Sequence, residues 1–585
     1  MKAQNLLLSV MALAAVGCAP KDPIPAAPQG EALFDNFSYI GDDDFYKRNP
    51  LPNETSYYNP ILPGFYPDPT IVTNGKGDYY LATSTFTYLP GVPLFHSKDL
   101  VNWKQVGHIL DRENQVANCE GHDVSRGIFA PALAYNPATE TYYMITTNVN
   151  AGTGNFYVKT QDPAGSWSDP IYLPSIQGID PSIFIDDDGK AYIINNDDAP
   201  DNKPEYPGHR TVRIQELDLA TDQCVGERKI IINKGWNPAE KPVWCEAPHI
   251  YKINGYYYLM TAEGGTSTWH SEVMYRSKSV WGPYEPCKRN PFLTQRTLDP
   301  NRPDPVTCAG HADLVKTPEG DWWAVFLACR PVEEEYENLG REVFLLPLTW
   351  DEEGWPVMTG QDKVIDQVVE NGPAKRGDNV TFGNFSREDN FDNAELGMEW
   401  VTLRTKIEGQ YSFTQYPGWL SLKENEVTAR EKGAPSMILH RLHHHNFAAS
   451  THMRYQPVEA EDAAGMVLYK DQDHFLFMAL TTEEGKPVVQ LQEVYAKKQP
   501  EYPGPHDLSR EELLKDVKVL ASVPCADTKL EMQVTSDGKT FNFAFRAEGA
   551  AQWTTLGEGV AAHKYSTRDT GGFCGTMVGL YCTGK

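Results

Sequence analysis

Apolar and polar positions alternate along this chain in short runs of about four to eight residues, closed by Gly, Asn and Asp, a pattern that predicts strands. Five of these runs share one phrase. It reads Asp68-Pro69-Thr70-Ile71-Val72, Ala130-Pro131-Ala132-Leu133-Ala134, Asp180-Pro181-Ser182-Ile183-Phe184, Glu246-Ala247-Pro248-His249-Ile250 and His311-Ala312-Asp313-Leu314-Val315. An aromatic run follows each copy: Tyr79-Tyr80, Tyr142-Tyr143, Tyr192, Tyr256-Tyr257-Tyr258 and Trp322-Trp323. Between phrase and aromatics stand the dipeptides that hairpins need, among them Asn74-Gly75, Asn254-Gly255 and Glu319-Gly320. The heads lie 50 to 66 residues apart. Short strands at that period predict a five-bladed β-propeller over residues 56–365. Equivalent positions of a propeller face one axis, so Asp68, Asp180 and Glu246 are expected at one mouth.

The repeat stops in a polar connector, 366–388. Beyond it strands resume without the period, as in Trp419-Leu420-Ser421-Leu422, Gly465-Met466-Val467-Leu468-Tyr469 and Thr576-Met577-Val578-Gly579-Leu580-Tyr581. Residues 389–585 are therefore expected to form a jelly-roll-like β-sandwich. The one helical stretch in this half is Ser509 to Val517, short and charged. The fold class expected is all-β.

The N-terminus carries Lys2, an apolar stretch from Leu6 to Val16, then Gly17-Cys18. That is a secretory signal, too short to span a bilayer. Ala15-Val16-Gly17-Cys18 resembles a bacterial lipobox, which implies cleavage after residue 17 and lipid on Cys18. The expectation is an exported, outer-membrane-associated lipoprotein touching the membrane only through that lipid. Residues 18–55, rich in Pro, Asp and Asn, read as its tether. The formal charge of −27 repels phosphate backbones and argues against nucleic acid as a partner. Nine cysteines follow Cys18 with no Cys-x-x-Cys spacing, so no zinc or redox motif is expected. Oligomeric state and disulfide pairing are not legible.

Three acids at the heads of different blades are what glycosidic hydrolysis asks for. One carboxylic acid must protonate the leaving oxygen while a carboxylate works on the opposite face. A third can hold the acid's pKa up by like-charge repulsion. At these residues the chain resembles glycoside hydrolase family 43. The resemblance rests on Pro63-Gly64-Phe65-Tyr66-Pro67-Asp68-Pro69, Gly178-Ile179-Asp180-Pro181-Ser182 and Glu246-Ala247-Pro248-His249-Ile250-Tyr251. It implies β-xylosidase or α-L-arabinofuranosidase action with inversion, Asp68 as general base, Glu246 as general acid and Asp180 as pKa modulator. No cofactor is required for that chemistry.

Further residues enter through the resemblance. Gly310-His311-Ala312 looks like the segment whose histidine faces the channel, which implies a substrate contact and an indirect role at a structural calcium. Leu339-Gly340-Arg341 resembles the segment that places a substrate-binding arginine. Phe86 and Phe129 fall where the family's pocket has its walls. Asp389-Asn390-Phe391-Asp392 and Tyr416-Pro417-Gly418-Trp419 resemble the sandwich of the xylosidase and arabinofuranosidase members, which can send a loop toward the pocket. That favours exo action on oligosaccharides. Trp269 and His270, after Gly264-Gly265, read as surface packing, with the leaving-group side as the alternative. Two other functions fit the same architecture. A retaining fructan hydrolase would carry arginine before its second acid, where Ile179 stands; a non-catalytic glycan-binding lipoprotein would be expected to lack one of the three acids.

Overall fold

The computed structural model describes residues 26–117, 119–150, 152–496 and 516–585. The signal segment with Cys18, and all but the end of Ser509–Val517, lie outside them. Five antiparallel meanders of four strands, the fourth with one additional strand, make the propeller. Their first strands are Thr70–Thr73, Ala132–Asn136, Ile179–Ile185, Glu246–Ile253 and Thr307–Lys316. These innermost strands pack on one another around a closed ring, the fifth returning to the first. Asn254 and Gly255 both take positive φ in the fourth blade's first hairpin, the backbone of the tight turn that joins twisted strands.

The propeller core is a series of layers between blades rather than one centre. Leu94 and Ile109 of the first blade meet Leu133, Met144 and Phe156 of the second. Tyr192 and Ile214 of the third meet Leu259 and Val273 of the fourth in the same way. The ring is fastened where Tyr57–Tyr58 pairs with Val368–Val369 and Asn59 hydrogen-bonds both the N–H and the carbonyl of Leu345. So part of the expected connector 366–388 belongs to the propeller's closure.

The C-terminal half is a β-sandwich of two eight-stranded sheets. One sheet reaches beyond it: Trp400–Leu403 pairs with Tyr88–Leu89 of the propeller, covering an edge that would otherwise be free. Both faces of this sheet are buried. Met466, Leu468, Leu476 and Met478 point into the sandwich, while Val467, Tyr469 and Phe477 face a cluster holding Phe65, Phe86 and Tyr88. That is why its strands read as unbroken apolar runs rather than as alternation.

The expected tether 18–55 needs correction from residue 31 onward. Glu31–Gly41 is an eleven-residue strand inside the other sandwich sheet, between Leu420–Lys423 and Asn446–Arg454. Phe34, Phe37 and Tyr39 enter the core at 0–2% exposure. Its partners lie hundreds of residues away, so nothing local marks it, and its Pro- and Asp-rich flanks disguise it. The helix Asp44–Arg48 then docks Tyr46 against Arg330 of the fifth blade.

The sandwich also grips the segment leading to Asp68. His443 Nδ1 meets the Pro63 carbonyl at 2.7 Å, and Arg441 Nε donates to the Phe65 carbonyl at 2.8 Å. The Arg441 guanidinium lies over the Tyr66 ring at 4.5 Å. The adjacent His444 turns instead to the Gly383 carbonyl, so the histidine triplet 443–445 is spent on packing rather than on one ion.

Candidate active site

Local backbone strain aims the blade heads. Asp68, Asp180 and His311 all hold left-handed φ, at 55°, 51° and 53°, and Ala247 beside Glu246 holds 49°. The ladders slip at the same places, between Ile179 and Ser182, between Glu246 and His249, and between Gly310 and Asp313. A bulge re-aims a side chain that would otherwise continue the strand's alternation. Gly178 is needed beside Asp180, because a Cβ there would run into the Asn196 carbonyl oxygen.

The three acids come together at the mouth. Asp180 Oδ2 accepts from the Ala247 N–H at 3.3 Å, tying the third blade's head to the fourth's. Asp68 is 5% exposed and Asp180 8%, while Glu246 is the most open. Ser84 donates to Asp68 Oδ2 at 2.6 Å, Arg341 Nη1 pairs with Oδ1, and His311 Nδ1 stands 3.7 Å from the same oxygen. Ser84 and Thr266, which accepts from Arg341 at 3.3 Å, were not singled out from sequence. Both are polar loop residues without a local signature.

Electrostatics split the acids. Burial works to raise the Asp68 pKa, but the Arg341 guanidinium and the Ser84 hydroxyl outweigh it and hold the carboxyl below its ordinary value. Burial raises Glu246 far above the usual carboxylate range, reinforced by the negative charges of Asp180 and Asp68. Burial and Asp68 bring Asp180 up to about 7. One carboxylate held ionised beside another held protonated is the charge state that general acid–base chemistry uses.

An aromatic wall stands beside Asp68. Phe86, expected as the wall itself, is 2% exposed and lies behind it. Phe129, in edge contact at 5.4 Å, and Phe573, stacked at 5.8 Å and 12°, are partly open. Phe573 comes from the sandwich, and its carbonyl accepts from Arg341 Nη2 at 3.4 Å. Arg341 therefore lies against the Phe86 and Phe573 rings, at 5.8 and 5.7 Å, and pairs with Asp68. His311, lowered to about 4 by burial, faces Asp68 neutral. Among the described residues no three His, Cys, Asp or Glu side chains converge as a direct metal shell. Cys245, next to Glu246, is buried against Thr261.

Arg341→Ala is expected to shift the acidic limb of the kcat/KM–pH profile upward by about one unit or more, because the cation that favours ionised Asp68 is gone. The sign follows from the depressed pKa: the active, ionised form is lost as pH falls through it, and removing Arg341 raises that point. A limb that stays in place would separate Arg341 from the ionisation of Asp68.

The model of "Glycosyl hydrolases family 43" matches residues 57–356, and that of "Beta xylosidase C-terminal Concanavalin A-like domain" matches residues 388–585. A "Xylosidase/arabinosidase" of Butyrivibrio fibrisolvens is 38% identical over 536 residues, covering 90% of this chain and 95% of its own. "Non-reducing end alpha-L-arabinofuranosidase BoGH43B" of Bacteroides ovatus is 36% identical, with 91% and 92% covered. Among solved structures, a GH43_12 protein retrieved from a capybara gut metagenome superimposes with a TM-score of 0.84 at 37% identity, over 95% of this chain and all of that one.

Proposed function

The chain belongs to glycosyl hydrolases family 43, and from that premise we propose that it is an inverting, exo-acting glycosidase releasing xylose or arabinofuranose from the non-reducing ends of oligosaccharides. The observation that carries the reading is the meeting of three carboxyl groups at one mouth, with Asp68 paired to Arg341 and Ser84 and Asp180 tied to the Ala247 N–H beside Glu246. In the proposed step, Asp68 takes a proton from a water as the water oxygen bonds to the anomeric carbon. The glycosidic C–O bond breaks, and its oxygen receives the Glu246 proton. The free sugar leaves with its anomeric configuration inverted. Inversion asks that the two carboxyl groups stand about 6.5–9.5 Å apart, room for that water. Asp180 keeps Glu246 protonated through its charge and fixes the neighbouring backbone through the Ala247 N–H. Arg341 orients Asp68 and is placed to donate to sugar hydroxyls. Phe129 and Phe573 supply the apolar wall, and a loop of the sandwich in that wall supports a pocket for chain ends. Calcium in the channel, reached from His311 through water, belongs to this proposal as a structural ion.

The test is kcat/KM on matched aryl β-D-xylopyranoside and aryl α-L-arabinofuranoside, with proton NMR of the first-formed anomer. Preference for one pentose with an inverted first product is expected. A retained first product would overturn the assigned roles. Inertness toward both sugars and toward oligosaccharides carrying them would turn the mouth into a binding site. The lipobox reading has its own check: Cys18→Ser is expected to move the protein from the membrane to the soluble fraction, and a wild type already soluble would sink it.

A further inference from the structure

Of the chain's 13 tryptophans, those at least a third exposed among the described residues are Trp244, Trp269 and Trp553, at 40%, 67% and 36%. Two of the three belong to the fourth blade and bracket its catalytic head. Trp244 stands two residues before Glu246. Trp269 closes the loop that follows the second strand of the same blade, Tyr256–Glu263. Surface tryptophans are uncommon because the indole is the largest apolar group the chain can expose, so two on one rim ask for an occupant.

The local backbone is shaped to hold both. The Gly264 N–H donates to the Val243 carbonyl at 2.9 Å, laying the loop against the segment that carries Trp244. A Cβ on Gly264 would strike the Trp269 carbonyl oxygen, and one on Gly265 would lie 3.7 Å from Trp244 Cδ1. Gly264 thus lets the loop close against the Trp269 backbone, and Gly265 supplies a left-handed φ of 70° beside Trp244. Trp244 holds a left-handed φ of 53°, a strained conformation for a bulky residue. The Arg210 guanidinium lies over its ring at 4.5 Å and is anchored by Asp198. The same loop reaches the catalytic charges, since Thr266 accepts from the Arg341 nitrogen that pairs with Asp68.

We propose that Trp244 and Trp269 form the leaving-group side of the cleft, a stacking platform for the sugars beyond the bond being cut. The inference rests on the proposed function, because it takes Glu246 as the acid. An acid must touch the departing oxygen, so the sugar attached to that oxygen lies on the acid's side of the mouth. There the two indoles offer flat apolar faces that fit the C–H faces of pyranose and furanose rings. Arg210, held beside Trp244, adds a donor for hydroxyls at the ring edge. The terminal sugar, enclosed by Phe129 and Phe573, would not touch them. The occupant is therefore a neutral oligosaccharide at least two sugars long.

The experiment compares a pentosyl fluoride, whose leaving atom is too small to reach the indoles, with a disaccharide and a tetrasaccharide ending in the same pentose, in wild type, Trp269→Ala, Trp244→Ala and Trp244→Phe. Each alanine variant is expected to lose roughly tenfold in kcat/KM on the tetrasaccharide, mainly through KM, with less than about twofold change on the pentosyl fluoride. Trp244→Phe should recover most of the loss, since an aromatic face is restored. An equal fall on all substrates would make the tryptophans structural and overturn the proposal. An unchanged tetrasaccharide KM in Trp269→Ala, the more exposed site, would overturn it too. Failure of the parent reading looks different: wild type would turn over none of the three substrates.

Discussion

Replacing Asp68 by asparagine is expected to lower kcat/KM about 10³- to 10⁴-fold on both aryl and oligosaccharide substrates, the upper part of what a positioned base contributes. The side chain sits among donors that fix its direction: Ser84 on one oxygen, Arg341 on the other, His311 nearby. Asparagine keeps the shape and can still accept from Ser84, so the strand and its bulge should survive. It cannot take a proton from water at any working pH. The acidic limb assigned to Asp68 should vanish with the activity. Some stability will go as well, because Arg341 loses a buried partner and keeps only Thr266 and the Phe573 carbonyl. A lower but still cooperative thermal transition is the control for folding. If the folded variant keeps more than about a tenth of wild-type turnover, water is activated by another group and the role of Asp68 must be reassigned.

The blade heads were legible because a repeat reports the same environment several times over. Asp68, Asp180 and Glu246 each occupy one place in a recurring phrase, and an Asp-Pro alone would have said little. The left-handed backbone that aims them was not legible, since aspartate and histidine at positive φ carry no pattern. Phe573 was invisible for another reason. It belongs to a Gly571-Gly572-Phe573 loop of the other domain and meets Phe86 nearly five hundred residues back in the chain. The strand Glu31–Gly41 fails the same way, being defined by partners near residues 388, 421 and 450. Local alternation reports which face is buried, not against what.

These long-range contacts share a direction. From the sandwich, His443 and Arg441 hold the carbonyls of Pro63 and Phe65, Phe573 closes the aromatic wall, and the Phe573 carbonyl steadies Arg341. Each acts on the Asp68 side of the mouth. Toward Glu246 stand the third and fourth blades and the tryptophan-bearing loop, whose Thr266 also reaches Arg341. On the proposed roles, the sandwich bears on the base and the terminal sugar, and the leaving-group side lies with the blades. Changes in the sandwich interface should accordingly perturb pentosyl fluorides and long oligosaccharides alike, whereas changes on the fourth-blade rim should discriminate between them.

Glu246→Gln is expected to separate substrates by their leaving groups. A natural oligosaccharide departs as an alkoxide unless protonated, so removing the acid should lower its kcat/KM by about 10³-fold or more. An aryl pentoside with an acidic phenol departs with little help and should fall roughly tenfold or less. The pH profile carries the same signature. Burial and two neighbouring carboxylates raise the Glu246 pKa, so the protonated, active form is present below that value and is lost as pH rises through it. With Asp180 brought up to about 7 beside it, the alkaline limb belongs to the pair rather than to either acid. Glutamine does not titrate, so on the activated substrate the alkaline limb should flatten while the acidic limb of Asp68 stays. Asp180→Asn should keep the limb but move it to lower pH, because one of the charges that holds the proton on Glu246 is gone. Equal losses on natural and activated substrates, with the alkaline limb intact, would mean that Glu246 shapes the site without delivering the proton, and Asp180 would become the candidate acid.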